Sequence, residues 1–271
     1  MISVASLKAR NAARWQNMHV RAERLAAFKE AADRLSAPAA KARYQGVSDR
    51  LAELAMSDNT ICAVPWWFVA IVSEREYGGP PHWDRQLGQG DPLHQVSHNQ
   101  PAGRGPFLEH AGDVTPGHDA WTRCCLDALV DCAPHAARWT DWSVGGALTL
   151  LEQYNGLGYA ARGLPSPYLW SGTDQYKSGK FVRDGVFDPD VVDSQLGCAG
   201  LLRAMMALDP SIAFDDVRIA PAKRVTRAPV VRPPAKPFAT SPPPKPSITT
   251  PAQGSIGAFF VDLFKAIFRR K

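Results

Sequence analysis

A carboxylate closes the most apolar run of the chain. In PWWFVAIVSEREY, residues 65–77, Glu76 follows Trp66 to Val72 with only Ser73, Glu74 and Arg75 between. Pro65 marks a helix start and Gly78-Gly79-Pro80-Pro81 a stop, so Glu76 is expected at the C-terminal end of a buried helix. Burial there disfavours the ionised carboxyl, and the negative end of the helix dipole pushes the same way. A carboxyl still protonated near neutrality can serve as a general acid, donating its proton to a leaving glycosidic oxygen. The plainer alternative is a solvated surface charge, and Glu74 beside it has the simpler prospect of pairing with a cation.

Asp91, in GQGDPL, offers a second carboxylate fifteen residues on. It would face Glu76 across a cleft, activating water or stabilising positive charge on a sugar. Asp before Pro after Gly is also a turn pattern, and Asp84 is a rival for the role. Gln95, Ser97 and His98 follow, with Asn99, as groups that could bind sugar hydroxyls, although a lone histidine is more often structural. A second stretch, LEQYNGLGYAARGLPSPYLWSGTDQY, supplies Tyr154, Asn155, Tyr159, Tyr168 and Trp170. Amphipathic aromatics on glycine-bearing loops suit stacking on sugar faces with a polar tip for hydrogen bonds. An aromatic cluster packed under a long loop would have the same composition.

The elements that must position these groups read mostly as helices. Residues 1–60 are rich in Ala, Arg, Lys, Glu and Leu, with Leu25, Phe28, Ala32 and Leu35 at three- and four-residue steps. Helical patterning resumes in AWTRCCLDALVDCA, WSVGGALTLLEQYNG and DSQLGCAGLLRAMMALD, while residues 78–115 read as one long irregular segment, a length often tied to function. Strand signals are sparse. The expectation is a mainly α domain, α+β at most, over residues 1–215, with an N-terminal helical extension. Residues 216–253, dense in proline with Lys, Arg, Ser and Thr, read as a linker without a core.

Residues 254–271, GSIGAFFVDLFKAIFRRK, place Ile256, Phe260, Leu263, Phe264 and Ile267 on one helical face before Arg269, Arg270 and Lys271. A cationic amphipathic helix of this kind suits an anionic membrane surface, with docking on protein as the alternative.

Bulk properties narrow the classes. The 271 residues are 45% hydrophobic and carry a formal charge of +5, a mild bias toward acidic partners. No basic block interleaved with aromatics supports nucleic acid as a partner. Five cysteines without metal-ligand spacing read as reduced, mostly buried thiols, and no metal or cofactor is called for. No apolar stretch before a small-residue cleavage site marks a signal peptide, and no run of about 20 apolar residues spans a bilayer. The expectation is cytoplasmic synthesis, with action on an outside substrate after release or membrane permeabilisation.

Taken together, Glu76, GDPL with its preceding Gly90, PAGRGPF, DWSVGGALTLLEQYNGLGY, GLPSPYLWSGTDQYKSGKFV and DSQLGCAGLLRAMM resemble a family of phage endolysin and bacterial lysozyme-like proteins, over about residues 60–210. The resemblance implies a lysozyme-like helical fold that cleaves the β-1,4 bond between N-acetylmuramic acid and N-acetylglucosamine, with the peptidoglycan glycan strand as partner. It puts the acid on Glu76 and a groove-lining Tyr-Asn pair on Tyr154 and Asn155. This sequence departs from that pattern at Ser73 and Asn99, where relatives tend to carry histidine, and in the longer Gly78-Gly79-Pro80-Pro81 link. A lytic transglycosylase on the same bond, a non-catalytic glycan-binding module and a membrane-active interaction protein are the alternatives.

Overall fold

The computed structural model describes residues 2–99, 101–110, 113, 117–183 and 185–214; the proline-rich segment 216–253 and the amphipathic segment 254–271 lie outside them. Nine helices and one small hairpin appear among the described residues, so the chain is mainly α. The first three helices are α1 (Val4–Asn17), α2 (Leu25–Ser36) and α3 (Pro38–Ala55). Ser3 caps α1 by accepting from the Ser6 amide, and Pro38 starts α3 where a helix has no use for an amide hydrogen.

The central helix is α4 (Trp66–Tyr77). Trp67 to Val72 are all buried, so this helix lacks a solvent face over most of its length. It ends where the sequence indicates. Gly78 takes the left-handed conformation at φ +89°, its amide bonds to the Glu74 carbonyl, and the Gly79 amide reaches Ser73. From Gly78 to Asp119 the described residues hold no helix or paired strand beyond a single bridge between Arg85 and Pro92.

The second half returns to helices: α5 (Ala120–Leu126), continued by a π-helical turn through Asp131, then α6 (Val144–Tyr154) and the one-turn helices α7 (Gly158–Ala161) and α8 (Pro167–Trp170). Asp119 caps α5 and Ser143 caps α6. A hairpin follows, β1 (Lys180–Arg183) antiparallel to β2 (Val186–Asp188), with Phe181 opposite Phe187 and a bulge beside it. The last described helix is α9 (Cys198–Leu208).

The N-terminal helices are built into the core rather than appended to it. Phe28, Ala32 and Leu35 of α2 and Tyr44, Val47 and Leu51 of α3 bury in the same cluster as α4, α6 and α9. Helix α2 lies so close to α9 that a Cβ on Gly200 would fall 2.3 Å from the Phe28 ring. The five thiols are free, four of them buried, as expected of packing cysteines.

Candidate active site

Glu74 and Glu76 leave the same helix end in different company. Glu74 accepts from one Arg34 nitrogen of α2 at 2.6 and 2.7 Å. Burial pushes its pKa up while the guanidinium opposes the shift. Glu76 has no such bidentate cation. Its Oε1 accepts at 2.7 Å from the hydroxyl of Tyr168, a buried residue on α8. Burial raises the Glu76 pKa to about 7, against the opposing pull of the Tyr168 hydroxyl and the charge of Arg75. The side chain is half-buried, keeping part of its surface open to water while protein atoms crowd out most of its hydration.

The walls around Glu76 come from four elements. Tyr168 belongs to α8 and Tyr154 to α6; Cys198 opens α9, and Arg75 precedes Glu76 on α4. A negative charge on Glu76 would disfavour ionisation of Tyr154, Tyr168 and Cys198, which places all three within electrostatic reach. The Tyr154 hydroxyl is buried and has no hydrogen-bond partner among the described residues. Ser73 is occupied internally, bonded to the Tyr44 hydroxyl and the Ala70 carbonyl.

Asp91 arrives near the same helix end on a tight loop. The Gln86 amide bonds the Asp91 carbonyl, the Leu93 amide bonds Asp84, and a Cβ on Gly90 would sit 3.7 Å from the Glu76 carbonyl oxygen. Its carboxylate, however, is engaged elsewhere: Oδ2 accepts from the backbone amides of His98 at 2.8 Å and Asn99 at 2.9 Å. Asp91 thus pins one loop to the next. The rival Asp84 has a side chain 71% exposed beside Arg85.

The other expected groups divide. Ser97 is buried, with its hydroxyl bonded to the Pro101 carbonyl and the Arg104 amide, so it serves its own loop rather than a ligand. Gln95 and His98 are exposed on that loop. Asn155 is half-buried and donates to the Ser166 hydroxyl. The expected sugar-contacting aromatics all require correction, Tyr154 among them at only 7% exposed. Trp170 is 1% exposed and belongs to the core, while Tyr159 is 3% exposed, accepts from the Phe181 amide and packs between Phe181 and Phe187. Neither presents a face to a sugar. Tyr168, expected to stack on a sugar, instead lies under the Arg75 guanidinium at 4.8 Å, and its hydroxyl bonds Glu76.

Arg75 and Asp193 were not singled out by the sequence. They form an ion pair of 2.5 Å with side chains only 4% and 1% exposed, and Lys180 reaches Asp193 at 2.9 Å. Two surface cavities lie elsewhere. One of about 730 Å³ is lined by Arg34, Arg43, Pro80, Pro81 and Trp83. The other, about 510 Å³, is lined by Leu54, Phe107, Leu108 and Val130. Glu76 lines neither of them.

Among the described residues no group of three or more His, Cys, Asp or Glu side chains is placed to hold a metal ion, and no helix is long and apolar enough to cross a membrane. Comparisons of the chain with protein-family models, with curated proteins and with solved structures find no match to any of them.

Proposed function

We propose that this chain is a lysozyme-like, endolysin-type peptidoglycan hydrolase in which Glu76 is the general acid. Support comes foremost from one observation: a carboxyl at the end of a buried helix, with a pKa near 7 and a phenol rather than a paired cation on its oxygen. Such a group is protonated in a large fraction of molecules at neutral pH. It can protonate the oxygen leaving a β-1,4 bond between N-acetylmuramic acid and N-acetylglucosamine. Tyr168 then stabilises the carboxylate left behind, because its hydrogen bond strengthens as charge appears on Oε1.

The binding partner in this reading is the glycan strand, approached by Asn155 and the exposed loop carrying Gln95 and His98. Asp91 fixes that loop and is the candidate for a second catalytic group only through its remaining oxygen. That engagement favours a second reading, a lytic transglycosylase on the same bond. There Glu76 alone is acid and then base, and the sugar's own 6-hydroxyl displaces the water. The cationic segment 254–271 would add an anionic membrane surface as a second partner, and action on the wall would follow release or permeabilisation.

The test is digestion of purified cell walls by the full chain and by Glu76→Gln. Solubilisation that vanishes in the variant is expected. Equal lysis by both proteins removes Glu76 from the mechanism, and anhydro-muramic ends among the products select the transglycosylase.

A further inference from the structure

Behind the acid lies a charge arrangement that extends this reading. Arg75 is adjacent to Glu76, and its guanidinium is stacked on the ring of the tyrosine that bonds the Glu76 carboxyl. A bare guanidinium in that place would hold Glu76 ionised, since a nearby opposite charge in a buried setting favours the charged form. The carboxylate of Asp193 sits 2.5 Å from Arg75, and the two side chains are buried together.

Asp193 is itself held from several directions. Its carboxylate also accepts from Lys180 at 2.9 Å, its amide donates to the Tyr176 hydroxyl, and its carbonyl accepts from Ser171. Arg75 further donates to the Leu196 carbonyl, and Gln195 donates to the Arg75 carbonyl. Tyr168, Tyr154 and Cys198 of packed elements and Arg75 of its own helix interact electrostatically with Glu76. Arg75 alone among those four carries a charge at neutral pH, and the Asp193 carboxylate that faces it is shared with Lys180.

We infer that Asp193 is a positioning residue for the acid: by offsetting much of the Arg75 charge behind Tyr168, it limits the pull of that charge toward the ionised form and helps keep Glu76 proton-donating. A merely architectural ion pair, tying the segment before α9 to α4, would be satisfied by any residue that preserves the packing. The inference rests on the proposed role of Glu76, but its test does not require activity.

The test is a carbon-detected NMR titration of the Glu76 carboxyl in the full-length wild type, in Asp193→Asn and in the double variant Arg75→Leu/Asp193→Asn. In Asp193→Asn the unpaired Arg75 is expected to lower the Glu76 midpoint by about one pH unit. In the double variant, where both charges are gone, the midpoint should return to within about half a unit of wild type. An unchanged midpoint in folded Asp193→Asn overturns the inference. So does a rise of about one unit or more in the double variant, because Arg75 would then have been acting uncancelled all along.

The double variant removes the unpaired buried charge that could prevent the single variant from folding, so a rise of about one unit or more in it overturns the inference even where Asp193→Asn does not fold. On cell walls, the alkaline limb of the pH–rate profile should move with the NMR midpoint. A wild type that titrates as stated yet digests no wall would defeat the proposed function and leave the charge arrangement standing.

Discussion

Replacing Glu76 by glutamine should make the protein more stable at alkaline pH while removing its activity. The folded-state pKa of about 7 lies above the ordinary 4.5, so between those values the native state binds more protons than the unfolded chain. Its contribution is therefore fully present below pH 4.5 and is lost as pH rises through 7. The interval, at about 1.4 kcal/mol per pH unit, amounts to about 3 kcal/mol. Glutamine is neutral at every pH, nearly isosteric, and can still accept the Tyr168 hydrogen bond through its amide oxygen. The variant should match wild type near pH 4.5 and exceed it by about 3 kcal/mol at pH 8.5. For a folded region of this size that is a rise of roughly 5–10 °C in Tm. Urea unfolding at a series of pH values from 4.5 to 8.5 measures the difference. Parallel stability curves for the two proteins would mean that ionising Glu76 costs the fold nothing and that its carboxyl is not raised by burial.

Three further substitutions probe the surroundings. Tyr168→Phe removes the hydroxyl that favours the ionised form, so the alkaline limb of the pH–rate profile should rise by about one pH unit; an unmoved limb would detach Tyr168 from the acid. Asp91→Asn keeps an oxygen for the His98 and Asn99 amides, so wall digestion should stay within about tenfold of wild type, whereas a loss of roughly a thousandfold would make Asp91 a catalytic carboxylate. Gly79→Ala should destabilise the fold by about 2–3 kcal/mol in urea. Its φ is +60°, and the new Cβ would lie 2.6 Å from the Glu74 oxygen that Arg34 holds; wild-type stability would contradict that geometry.

What the sequence disclosed depended on how local the determinant was. The end of α4 was legible because an apolar run, a charged turn and Gly78-Gly79 are contiguous, and one stretch of chain specifies both the burial and the stop. Glu76 was legible for the same reason. Asp91 was legible as a turn, but the direction of its carboxylate depends on amides of His98 and Asn99 that meet it only after the loop folds back.

The aromatics were the least decipherable. Tyr159, Tyr168 and Trp170 share a loop-like stretch, yet one anchors the hairpin, one bonds Glu76 and one fills the core. Composition cannot separate those fates, because each depends on what packs opposite. Arg75 and Asp193 are 118 positions apart, and neither carries a local pattern that announces a buried pair. The early helices looked like an extension because their periodicity shows an apolar face but not its partner. That partner is the core built by α4, α6 and α9.

In the proposed function Glu76 delivers a proton to a glycosidic oxygen of the bacterial wall. The most direct measurement is mass spectrometry of the soluble products released from purified peptidoglycan by the wild type and by folded Glu76→Gln. That role predicts disaccharide-containing fragments ending at muramic acid from the wild type and none from the variant. Fragments released in equal amount by the variant, or none released by a folded wild type, would contradict it.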